Sequence, residues 1–104
     1  MLTVSFINTP TEGTVRILLR RIFDDAVKEK LNNGLITAIG FIQGPIATVL
    51  AAGDIAEKTS DVEIAEIVGN CPQHITMVGV FGDTSSVSEA LKAVEAWGKE
   101  TGNG

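Results

Sequence analysis

The sequence predicts a single α+β domain, with a mainly antiparallel sheet and helices in the order β-α-β-α-β-β-α. Three observations lead there. The 104 residues suit one domain, and area scaling has such a chain burying roughly 65% of its unfolded surface, enough for a core without staples. Hydrophobic residues make up 44% and charged residues 20%, which fits a folded globule and not a disordered chain. Short β-branched or aromatic runs alternate with segments of helical apolar period, placing strands and helices in close succession.

Residues 2–8 (LTVSFIN) read as a strand. Thr9-Pro10-Thr11-Glu12 follows as a helix start, with Thr9 as cap, Pro10 at the first helical position and Glu12 closing a capping box. Val15, Leu18, Leu19, Ile22, Phe23 and Ala26 recur at helical spacing along one helix, which Asn32-Asn33-Gly34 stops. Residues 35–42 (LITAIGFI) are apolar on both faces, as in a covered strand. Gly44-Pro45 opens a second helix whose apolar face is Ile46, Val49, Leu50 and Gly53. Residues 62–68 (VEIAEIV) and 75–81 (ITMVGVF) form a hairpin across a loop, Gly69-Asn70-Cys71-Pro72-Gln73-His74. Asp83 and Ser86 compete to cap a last helix that packs Val87, Ala90, Leu91, Val94 and Trp97.

Composition excludes several function classes. The longest apolar runs fall far short of a membrane span, and no basic-then-apolar leader opens the chain. Net charge is -5, which disfavours non-specific nucleic-acid binding. The charge is uneven: residues 1–34 are net +1 and residues 35–104 net -6. One cysteine, Cys71, excludes an internal disulfide framework and suits a reducing cytosol. No G-x-G-x-x-G or P-loop occurs, and a single histidine leaves no serine triad, so no enzyme is expected.

The remaining polar residues read as surface. Arg16, Arg20 and Arg21 fit a solvated helix face neutralised by Asp24 and Asp25. Asp54, Glu57, Asp61, Glu63 and Glu66 lie along a helix end and an alternating strand, with no nucleophile beside them. Trp97 belongs to the core by its spacing. Cys71 and His74 have Cys-x-x-His spacing, but two ligands per chain leave a zinc site incomplete.

From Ala38 to Gly98 the chain resembles the shell proteins of bacterial microcompartments, the BMC-domain family. The likeness rests on AIGFIQ (38–43), AAGDIAEKTSDVEI (51–64), the turn-rich hairpin loop and VGVFGDTSSVSEAL (78–91), in that order and at suitable spacing. In the majority form a further strand follows the last helix; here a strand-helix unit precedes the shared text instead. The pattern resembles the circularly permuted, single-domain branch, with residues 1–34 as the permuted unit and 35–99 as the shared β-α-β-β-α core. Permuted relatives often carry an extra N-terminal strand that caps the pore; here little chain precedes residue 2, so the expected pore is uncapped.

That resemblance implies a homohexamer that tiles with other shell proteins around enzymes in the cytoplasm. It implies a central pore for small metabolites, lined by Gly69, Asn70, Cys71, Pro72 and Gln73, and an edge lysine, Lys58, where neighbouring hexamers meet. The loop text further resembles iron–sulfur-binding shell proteins of glycyl-radical microcompartments, which implies a cluster shared between chains with Cys71 as ligand. No nucleic-acid or membrane partner is implied. Two alternatives stay open: a metal or electron-transfer module, and a small ligand-sensing regulatory oligomer of ferredoxin-like fold.

Overall fold

Hydrophobic alternation along four segments builds one open sheet in the computed structural model, which describes residues 2–69 and 75–102. Its strands are β1 (Thr3–Asn8), β2 (Ala38–Pro45), β3 (Glu63–Glu66) and β4 (Ile75–Gly82). They lie in the order β1-β2-β4-β3, and every neighbouring pair is antiparallel. The helices are α1 (Glu12–Leu19), α2 (Asp25–Asn32), α3 (Ile46–Thr59) and α4 (Thr84–Thr101). The α+β class and the antiparallel sheet agree with the sequence reading. Among the described residues, no helix is long and apolar enough to cross a membrane.

The sheet is covered on both faces because its central strands, β2 and β4, are apolar on both. On one face Ala38, Ile42, Val78 and Val80 pack against Val49, Ala52 and Ala56 of α3 and Val87, Ala90, Leu91 and Val94 of α4. Trp97 is half-buried against this cluster, as its spacing predicts. On the other face Ile39, Ala65, Ile67 and Phe81 pack against Leu18, Ile22, Val27 and Leu31. No charged or polar side chain is fully buried among the described residues, so the interior of both layers is apolar packing.

The one long helix expected near the N-terminus is two, which makes the order β-α-α-β-α-β-β-α. Asp24 accepts a hydrogen bond from Val27 N at 3.0 Å and starts α2 afresh. Ile22 leaves helical backbone and forms an antiparallel bridge with Ile67, where it is fully buried. Its helical spacing was therefore a coincidence with a strand-like contact. Phe23, expected on the apolar face, is 71% exposed.

The start of α1 also differs. Thr11, not Thr9, is the cap, accepting from Thr14 N at 3.2 Å. Thr9 has φ 55°, a left-handed conformation unlike the extended backbone typical of an N-cap. The predicted stop is correct: Asn33 is the C-cap of α2 and Gly34 takes φ 72°.

The second strand begins three residues later than residue 35, because Leu35 N donates back to Lys30 O at 2.9 Å to finish the helix end. It continues through Gly44 and Pro45, which pair with Thr76 and Ile75. On α3 the buried face is Val49, Ala52, Gly53 and Ala56; Ile46 and Leu50, expected inside, are exposed. Of the two rival caps for α4, Asp83 is the cap. It accepts from Ser86 N at 2.8 Å and from Ser85 Oγ at 3.1 Å, and these bonds hold its carboxyl below the usual range.

Candidate functional sites at the loop base and the sheet edge

The hairpin loop is anchored by a contact that connects distant parts of the sequence. Val68 N donates to Arg21 O at 2.7 Å, and Arg21 Nη1 donates back to Val68 O at 3.1 Å. With the Ile22–Ile67 bridge, residues 21–22 pair along the outer edge of β3 just before the loop. Ile67 N donates to Met77 O at 2.9 Å on the other side, so the loop's first residues are held from both edges. Across the hairpin, Thr76 Oγ1 donates to Glu66 Oε2 at 3.2 Å. The loop leaves from exposed Gly69 and returns at Ile75, beside Pro45. A concavity of about 130 Å³ at this base is lined by Gln43, Glu66, Ile67, Gly69, Ile75 and Met77.

Of the predicted pore residues, Gly69 stands at this base; Asn70, Cys71, Pro72 and Gln73, with His74, lie outside the described residues. Among the described residues, no three His, Cys, Asp or Glu side chains group as metal ligands would.

Lys58 sits in the last turn of α3, as expected, with its side chain 76% exposed. Its Nζ lies 2.7 Å from Asp54 Oδ2, and this hydrogen bond and charge raise its pKa. The pair is a helical i,i+4 contact with the acid on the N-terminal side.

The carboxylates read as surface do not converge. Asp54 pairs with Lys58, Glu63 with Lys30 Nζ at 2.7 Å, and Glu66 accepts from Thr76. The arginines separate too. Arg16 lies 3.6 Å from Glu12, whereas Arg21 does not belong to a neutralised helix face: it clamps the loop base. Asp24, expected to neutralise arginines, caps α2 instead. Arg21 was missed because its partner is a backbone carbonyl 47 residues away. The one available signal was Asp24-Asp25 in mid-helix, a capping pattern that puts a break directly after Arg21.

With that geometry in place, a family model for the BMC domain matches residues 38–103. The chain belongs to the BMC-domain family. It is similar to the GrpU microcompartment shell protein of Pectobacterium wasabiae, solved ligand-free, at 33% identity and TM-score 0.66, covering 89% of this chain and 99% of that one. It is also similar to the ligand-free GrpU shell protein of Clostridiales bacterium 1_7_47FAA, at 31% identity and TM-score 0.64, over 95% and 92% of the two chains. A trimeric shell protein, PduB, shares the fold at 22% identity and TM-score 0.54, over 89% of this chain and 37% of its own. No curated protein matches this BMC-domain chain. The matched span begins at β2, so β1, α1 and α2 precede it, although β1 is a full member of the sheet.

Proposed function

We propose that this BMC-domain chain is a structural subunit of a bacterial microcompartment shell, six copies of which form a tile with a central pore. The observation that carries the reading is the BMC-domain match over residues 38–103, joined by 33% identity to a shell protein along nearly its whole length. These relatives are microcompartment shell proteins, which supports a structural role. The same kinship favours a shell subunit over a ligand-sensing regulator. The permuted form is supported by β1: it precedes the matched span yet pairs with β2 through all six residues.

The pore reading places the β3–β4 connections of the six copies around one axis, with small metabolites passing between them. Its support is the double anchoring of Val68 and Ile67, which gives the loop a fixed point of departure. Lys58 is assigned to the tile edge. Lys58→Asp is expected to leave single tiles intact and to abolish extended sheets in electron micrographs, since it puts like charges beside Asp54 and across the edge. Sheets that persist unchanged would remove Lys58 from the edge.

Cys71 is the proposed ligand of an iron–sulfur cluster. Such clusters take four thiolates, and one chain has a single cysteine, so the ligands would come from several copies around the axis. When bound, the cluster would supply one-electron redox chemistry. Anaerobic reconstitution with iron and sulfide is expected to give brown protein, a colourless but still hexameric Cys71→Ser, and a His74→Ala that keeps the colour. Colourless wild-type protein, or brown Cys71→Ser, would overturn the assignment and leave Cys71 as a pore residue.

A further inference from the structure

The two edges of the sheet are built differently. β3 carries Glu63 and Glu66, and residues 21–22 pair against its end. Charge and cover of this kind keep a strand edge from accepting another chain. β1 has neither: its six residues, TVSFIN, hold no charge, and among the described residues only β2 pairs with it.

The register shows which of its backbone groups are free. Thr9 N donates to Thr37 O at 2.8 Å, so the pairs in phase with it, Ile7–Ile39, Ser5–Phe41 and Thr3–Gln43, are the hydrogen-bonded ones. The N–H and C=O groups of Val4 and Phe6 therefore point away from β2, along the open edge. Above them runs a groove between β1 and α4, made of two adjoining concavities of about 150 and 290 Å³ that share Val4 and Glu95. Its walls are apolar at Val4, Phe6, Leu91 and Val94. Gly40, opposite Phe6, lets Leu91 pack straight onto the sheet: a Cβ there would sit 2.8 Å from its methyl carbons. The rim carries Lys92 and Lys99, which form no ion pair among the described residues, and one acid, Glu95. On a chain of net charge -5, this rim is locally net positive.

We infer that β1 and this groove bind an extended segment of a partner protein by strand addition, with an apolar residue in the groove and carboxylates at Lys92 and Lys99. Backbone pairing to Val4 and Phe6 gives the attachment, and alternate side chains facing α4 give the selection. The two lysines are seven residues apart on α4, about 10 Å along the helix, which suits acids at alternate-face positions of a strand flanking one apolar residue. The inference goes beyond the shell role and does not rest on it.

The test uses the whole protein and a fluorescein-labelled peptide, TDTVTDT, with TKTVTKT as its basic counterpart. The acidic peptide is expected to slow hydrogen exchange at the amides of Val4 and Phe6, leaving Ser5 and Ile7 unchanged. It should bind about tenfold or more tightly than the basic one, and the Lys92→Glu, Lys99→Glu pair should reverse that order. Phe6→Pro removes an outward N–H without losing a bond to β2, and should abolish binding at unchanged native mass. Equal binding of the two peptides, or unaltered exchange at Val4 and Phe6, overturns the inference. So does protection of the Val4 and Phe6 amides in the assembled protein without peptide, which would mean a second copy is already seated on β1.

Discussion

Phe81→Ala is expected to lower the stability of the subunit by about 3–5 kcal/mol, the range for emptying a buried aromatic site. Phe81 is 1% exposed and is the largest fully buried side chain among the described residues. It stands on β4 between Ile39 and Glu63, its cross-strand neighbours on β2 and β3, and faces the layer made by α1 and α2. The ring is the largest apolar contact between that layer and the sheet, beside the Ile22–Ile67 bridge and the bonds of Arg21 to Val68 and of Lys30 to Glu63. Urea unfolding at fixed protein concentration measures the loss, because assembly makes stability concentration-dependent. A loss below about 1 kcal/mol would mean that this face is not packed as described.

Gly79→Ala is the complementary change and should cost about 2–3 kcal/mol, toward the upper end for overpacking. The ring of Phe81 lies over Gly79, so a Cβ there would meet Phe81 Cζ at 2.5 Å and Ile67 Cδ1 at 2.9 Å. Neither neighbour is free to give way, since both are buried and Ile67 is also paired on two sides. Combining Gly79→Ala with Phe81→Leu should recover part of the loss, because the two sites are in contact and their effects do not add. Strict additivity in the same urea measurements would show that the clash is not with the ring.

Much of this was legible because the strands and the helices α3 and α4 are simple in pattern. LTVSFIN and ITMVGVF alternate or run apolar with β-branched residues, and each became a strand within a residue or two of its predicted ends. The last helix was legible from Val87, Ala90, Leu91 and Val94, all buried. What failed shared one cause: local pattern was outweighed by partners far along the chain. Ile22 kept the helical period but serves a strand 45 positions later, and Thr9 looked like a cap although the turn out of β1 needs its φ of 55°. Ile46 and Leu50 have the right period for α3, yet its small residues Ala52, Gly53 and Ala56 make the closer face to the sheet.

The functional features divide the same way. Lys58 was singled out by family resemblance, and its pairing with Asp54 came from the structure. Arg21 was not, because no rule of periodicity finds a guanidinium that bonds a carbonyl 47 residues away at the sheet edge. The free edge of β1 was equally hidden, since a strand's sequence does not say which neighbours it has.

Native mass spectrometry at micromolar concentration tests the shell-subunit account most directly. The account predicts a dominant species at six times the 10.9 kDa chain, retained in Lys58→Asp and Cys71→Ser. A stable monomer or trimer of the unmodified protein would contradict it.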